Sequence, residues 1–250
     1  MGFFQNIFEK KQKIDPLIDF SGLAVDFHSH VVPGIDDGSN ALETSIAMMR
    51  GMEELGYSKM ITTPHIMADF YKNTPEIILP GLEKVREAAT AAGLKIQIDA
   101  AAEYNIDDGF EKLMKAGNLL TFGQKHILVE LSTYSPHPNL HSILFNLQLD
   151  GFKVILAHAE RYSYWHEDMK GYEELRDRDV LFQVNLTSFI THKKPQSRKM
   201  AEKLASLDMI DFLGTDMHTP DALPVYRMCL ADKWVVQLVR SGRLMNKSLL

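Results

Sequence analysis

The stretch Leu23-Ala24-Val25-Asp26-Phe27-His28-Ser29-His30 decides how the chain is read. Its apolar start has the character of a buried strand, and it closes on two histidines rather than on a turn. Leu42, Ile46, Met49, Met52 and Leu55 then recur at spacings of four, three, three and three, the stripe of a helix laid on a core, and Gly56 stops it. Working outward, strands are expected at Lys59 to Thr63, Lys95 to Ala101, His126 to Leu131, Lys153 to Leu156, Val180 to Leu186 and Asp211 to Gly214. Helical periods fall between them, at about Pro75 to Ala92, Asp107 to Lys115, Pro138 to Leu149, Tyr172 to Arg178 and Ser197 to Leu207, with a last helix at Val225 to Arg240. Seven β/α units predict a parallel barrel or a doubly wound sheet, between which periodicity does not choose.

Composition narrows the function classes. A chain of 250 residues with 45% apolar and 24% charged side chains is long enough for one sizeable core. Lys plus Arg number 27 against 33 Asp plus Glu, so the formal charge of -6 provides no basic face for nucleic acid. The lone Cys229 cannot close an internal disulfide, which fits a cytoplasmic protein. No run of 18 apolar residues predicts a membrane span. Residues 1–23 are expected to form an N-terminal extension, with Phe3, Phe4, Ile7 and Phe8 at helical spacing, and residues 24–250 the main domain. There is no GxxxxGK[ST] loop, GxGxxG fingerprint, GxSxG elbow or HExxH, and Cys229 lacks an arginine six residues on.

In parallel α/β folds chemistry collects where strands end. Six of the seven predicted strand ends carry a metal-binding residue type. These are His28 and His30, followed by Asp36 and Asp37; His65; Glu103; Glu130; His158; and Asp216 with His218. The sixth strand ends on Val184-Asn185-Leu186. His28 and His30 lie two apart on an extended segment, so their side chains point the same way, and Asp216 with His218 is expected to repeat that geometry. Five imidazoles and four carboxylates, Asp37 included, exceed the ligand set of one ion and predict two or three. Without a thiolate, they favour manganese, iron or zinc. Arg161, three residues after His158, is placed to grip a phosphate, the alternative being a surface pair with Glu160 or Glu167. His126, His137, His141, His166 and His192 read as surface or capping residues, and Met48, Met49, Met52 and Met60 as core.

The segments HSHVVPGIDDG (His28 to Gly38), Thr62-Thr63-Pro64-His65, His158-Ala159-Glu160-Arg161 and Thr215-Asp216-Met217-His218 resemble the PHP (polymerase and histidinol phosphatase) superfamily. Within it they are similar to the bacterial metal-dependent protein-tyrosine phosphatases of capsule and exopolysaccharide loci. The resemblance runs from about Leu23 to Pro220. It implies a distorted (β/α)7 barrel and a three-metal site, usually of manganese. By matching positions it carries ligand roles to His28, His30, Asp37, His65, Glu103, Glu130, His158, Asp216 and His218, preferring Asp37 over Asp36, and a phosphate-contacting role to Arg161. The chain departs from the pattern where relatives often have a second arginine: Thr219 to Pro224 stand there, and Arg227 lies farther along. Ile66 replaces the usual histidine after Thr63-Pro64-His65.

The expected reaction is hydrolysis of phosphotyrosine on a protein, such as a polysaccharide-export tyrosine kinase. A hydroxide bridging the metals would attack phosphorus, Arg161 would hold the phosphate, and Asp37 could serve as acid. The rival readings are a histidinol-phosphatase-like enzyme of small molecules and a metal-bound regulatory protein that docks such a kinase. Three divalent ions would add +6 to the chain's -6, turning an acidic protein's pocket cationic.

Overall fold

The computed structural model describes residues 15–250, so the apolar arm Phe3 to Phe8 lies outside the described residues. The elements alternate along the chain: β1 (Val25–Asp26), α1 (Leu42–Glu54), β2 (Lys59–Thr62), β3 (His65–Ile66), α2 (Pro75–Ala91), β4 (Gln97–Ala100), β5 (Glu103–Asn105) and α3 (Phe110–Ala116) come first. They are followed by β6 (His126–Glu130), α4 (Leu140–Leu149), β7 (Lys153–Leu156), α5 (Lys170–Arg176), β8 (Leu181–Asn185), α6 (Pro195–Ser206), β9 (Phe212–Gly214), α7 (Leu223–Cys229) and α8 (Lys233–Arg240). Every pairing between these strands is parallel. The fold is thus mixed α/β around a curled parallel sheet.

Two of the predicted strands are each followed at once by a second short strand that the sequence did not show. Pro64, which has no N–H for a ladder, separates β2 from β3, and Ala101-Ala102 separates β4 from β5 beside it. The strands therefore fall into a three-stranded group, β1-β2-β4, and a six-stranded group, β3-β5-β6-β7-β8-β9. The last predicted helix is also two. The first ends at Cys229, and Asp232 caps the second, accepting hydrogen bonds from the backbone N–H groups of Trp234 and Val235 at 2.9 and 3.2 Å.

The two faces of the sheet have different surroundings because side chains alternate along a strand. Met60, Ile127, Val129, Val154, Leu156, Phe182 and Val184 pack under the helices, against Met48, Met49, Met52, Ile78, Leu82, Leu144 and Leu204. Val25, Phe27, Ile61, Leu128, Ile155 and Phe212 form a second apolar cluster on the inner face, together with Phe122 and Leu249. All four methionines predicted as core are fully buried. Residues 15–23 lie against this body: Phe20 is buried, its N–H donates to Leu55 O at 2.7 Å, and that of Leu17 donates to Leu230 O at 2.8 Å.

The first and last strand regions meet. Ser29 and Met217 form a parallel bridge, and the N–H groups of Asp216 and His30 donate to His28 O and Met217 O at 2.7 and 2.9 Å. Below them, Asp26 accepts from the N–H and hydroxyl of Thr215 at 2.9 and 2.8 Å. The Asn246 amide bonds both Val25 O and Leu213 O at 3.0 and 2.7 Å. No helix among the described residues is long and apolar enough to cross a membrane.

Candidate metal centre

Along the inner face, apolar side chains give way to polar ones toward the strand ends. Leu128 is followed on the same side by Glu130, and Leu181 by Gln183 and Asn185. All nine side chains expected as ligands converge there, from residues 28 to 218.

Glu103 is the hub and is fully buried. Its Oε2 lies 3.1 Å from His28 Nε2, 3.1 Å from His65 Nδ1 and 3.5 Å from His30 Nε2, and its Oε1 lies 3.0 Å from His158 Nε2. Glu130 Oε1 is 3.2 Å from His65 Nδ1. Asp216 Oδ1 is 3.4 to 3.6 Å from nitrogens of His28, His30 and His218. Asp37 Oδ1 is 3.5 Å from both His65 Nε2 and His218 Nε2, and its side chain is 55% exposed, so it stands at the mouth. Three groups have ligand atoms within 4.8 Å of one another: His30, Asp37, His65 and His218; His28, His30, Glu103 and Asp216; and His65, Glu103 and Glu130. Both oxygens of Glu103, one of Glu130, His28 Nε2, His30 Nε2 and His65 Nδ1 are buried without a hydrogen-bond partner. Buried lone pairs of nitrogen and oxygen left unmet at such density suit hard-to-borderline divalent ions.

The electrostatics agree with this. Burial opposes a charge on His28, yet Glu103 and Asp216 beside it raise its pKa to about 9. Burial likewise opposes ionisation of Asp216, but Arg161 and His28 hold its carboxyl well below the usual carboxylate range. The cluster thus takes up protons against its buried carboxylates, and divalent ions would displace them.

Asp36 and Asp37 divide their tasks in a way their spacing did not show. Asp36 Oδ2 is 2.8 Å from His30 Nδ1 and accepts the His65 N–H at 3.1 Å, which leaves His30 Nε2 to face the cluster. The loop bearing both aspartates folds tightly on His30. A Cβ on Gly38 would lie 2.3 Å from His30 Cβ, so only glycine fits.

The second predicted pair is built differently from the first. Asp216 has φ 53° and is left-handed, not extended, because it sits where the chain turns away after β9. It meets His218 through a bond from ring Nδ1 to its own carbonyl at 3.0 Å. His158 is left-handed as well, at φ 33°, and the tight turn Ala159–Arg161 follows it. Two non-glycine residues in that region among the expected ligands hold backbone strain at the cluster. The turn carries Arg161 over the cluster to Asp216, Nη2 to Oδ2 at 2.7 Å, rather than to Glu160 or Glu167.

Arg227 stands elsewhere, paired with Glu54 at 2.8 Å. His126 is not a surface residue: it is 3% exposed and stacked on Phe122. His137 lies 3.2 Å from Asp108, and His166 donates to Glu160 O at 3.0 Å. Two buried residues escaped the sequence reading, Gln183 and the carboxylate of Glu160, which accepts from Ser188 at 2.5 Å. The signal for Gln183 was a polar residue inside an otherwise apolar strand.

The tyrosine-protein phosphatase CpsB of Streptococcus pneumoniae is 28% identical over 208 residues, 81% of this chain and 86% of that protein. The tyrosine-protein phosphatase YwqE of Bacillus subtilis strain 168 is 24% identical over 195 residues, 78% and 77% of the two chains. A crystal structure from work on YwqE and CpsB, described as unique metal-dependent tyrosine phosphatases, superposes with TM-score 0.78 at 21% identity, over 90% of this chain and 95% of that one. The histidinol phosphate phosphatase of Lactococcus lactis, solved with zinc, L-histidinol and phosphate, shares the fold with TM-score 0.53 at 15% identity, over 83% and 92%. The profile of the family described as "Capsular polysaccharide synthesis, CpsB/CapC" matches residues 24–232, and the chain belongs to that family.

Proposed function

We propose that this protein is a metal-dependent phosphatase that hydrolyses phosphotyrosine on proteins and serves capsular or exopolysaccharide synthesis. The observation that carries the reading is the convergence of nine imidazole and carboxylate side chains, five of them with buried polar atoms that lack a partner, with a guanidinium at the rim. Two or three divalent ions, manganese for preference, would be held by His28, His30, Asp37, His65, Glu103, Glu130, His158, Asp216 and His218. When bound, they supply positive charge and lower the pKa of water towards ~7. Glu103 belongs to two of the three ligand groups and links them. Arg161, pinned to Asp216 and 33% exposed, turns its remaining N–H groups to two phosphate oxygens. Asp37 at the mouth can carry a proton to the leaving oxygen, although a phenolate needs less help than an alkoxide.

We further read the two strand groups as one distorted (β/α)7 barrel, supported by the Ser29 to Met217 bridge and by the Asn246 amide between β1 and β9. Residues 24–250 are the catalytic unit in this reading, and residues 1–23 an extension. A cytoplasmic place and a tyrosine kinase of polysaccharide export as substrate fit the family. The test is turnover of a phosphotyrosine peptide before chelation, after it, and after readdition of manganese, iron or zinc. Activity should vanish and return with the metal. Activity indifferent to verified metal loss would sink the proposal.

A further inference from the structure

Of the seven strand ends expected from the sequence, the one that became the end of β8 sends no ionisable group to the cluster, yet Gln183 and Asn185 are buried there at 0% and 1% exposure. Two residues apart on one strand, they share a face. Amides at that depth need every donor and acceptor directed, and one backbone group fixes the direction of all of them. The His158 N–H can only donate. It lies 2.7 Å from Gln183 Oε1, which settles that atom as the amide's oxygen. His28 Nδ1, 2.9 Å from the same oxygen, must then carry a proton, which makes Nε2 the nitrogen left to face the cluster. The other end of the amide, Nε2, donates to Asn185 Oδ1 at 2.7 Å. Asn185 is thereby obliged to turn its Nδ2 to Asp216 Oδ2, at 2.8 Å. Arg161 takes the same oxygen, so Oδ1 of Asp216 is left to face His28, His30 and His218. The space for this arrangement comes from Gly214: a Cβ there would lie 2.7 Å from Gln183 Nε2 and 3.1 Å from His28 Cβ.

We infer that Gln183 and Asn185 are positioning residues of the metal centre. They form a one-way amide relay, started by the His158 N–H, that fixes the proton on His28 Nδ1 and points Asp216 Oδ1 into the cluster, where it would be free to hold a metal. This rests on the metal-centre reading and adds to it a reason why β8 brings no ligand. Partners that orient ligands in this way typically contribute about 10 to 100-fold to metal affinity. The two amides also act as one unit, because Asn185 has no reason to keep its orientation once Gln183 is gone.

The test is titration of the metal-free full chain with Mn2+, read by competition with a fluorescent chelator, for wild type, Gln183→Met, Asn185→Leu, the double variant and Asn185→Asp. Each single apolar variant should weaken Mn2+ binding about 10 to 100-fold, with the double variant losing less than the product of the two. Asn185→Asp keeps the shape of the side chain and guards against a variant that fails to fold. It should bind Mn2+ more weakly despite its added negative charge, because an acceptor then faces Asp216 Oδ2. A merely structural role would lower the unfolding temperature of the metal-free chain and leave the affinity of the folded chain alone. Wild-type affinity in folded variants, or tighter binding by Asn185→Asp, overturns the relay. A wild-type chain that binds Mn2+ without hydrolysing a phosphotyrosine peptide fails the phosphatase reading, while the affinity ratios still judge the relay. A wild-type chain that takes up no divalent ion overturns both.

Discussion

β6 begins on His126 and ends on Glu130, and its two ends stand in opposite surroundings. Four steps of a strand, about 13 Å, separate them. At the first end, His126 is buried with both ring nitrogens unpartnered, stacked on Phe122 at 5.7 Å and edge-on to Phe212 at 6.1 Å. Burial lowers its pKa, with Lys153 adding to the effect. At the other end, imidazoles equally removed from water sit among carboxylates, and His28 is raised instead. Burial by itself makes a neutral, inert ring; the carboxylates beside it make a ligand.

That contrast can be broken at either end, and the ligand end should respond most. Glu103→Gln removes the charge that four imidazoles share, and since supporting residues alone are worth 10 to 100-fold, phosphatase turnover should fall by more than about 100-fold with loss of bound metal. Metal analysis beside kcat checks it, and retention of both would remove Glu103 from the centre. Arg161→Ala should cost about 100-fold in kcat on a phosphotyrosine peptide while metal content stays the same. An unchanged rate would deny the guanidinium a part in catalysis.

At the apolar end the effects are small and of the other sign. His126→Leu replaces a ring that leaves two nitrogens without partners, so turnover should be unchanged and denaturant stability should rise by about 1 kcal/mol. A loss of stability would reveal a partner for the ring. Cys229 is fully buried, and burial pushes its thiol up to about 12, so iodoacetamide should leave the folded chain unlabelled at neutral pH and label it once unfolded. Rapid labelling of the native protein would contradict its place in the core.

Much of this was legible in the chain, for a local reason. Period two on a strand and 3.6 on a helix need no knowledge of distant residues, so the pair His28 and His30, the methionine stripe of α1 and the strand ends were all visible. The break at Pro64 followed from a missing N–H and could have been read there, as could the cap at Asp232. The two-residue spacing of Asp216 and His218 misled, because spacing says nothing of a left-handed turn imposed by neighbouring strands.

Local patterning was enough to set the donors and their order: which residues can bind a metal, and that they fall where strands end. Which atom of each faces inward came from the packing of distant segments. Asp36 rather than Asp37 orients His30, Arg161 meets Asp216 and not Glu160, and Gln183 sets the proton on His28 from 155 residues away. A ring tautomer or the direction of an amide is fixed by whichever group lies opposite it, and across a parallel sheet that group comes from a distant part of the chain.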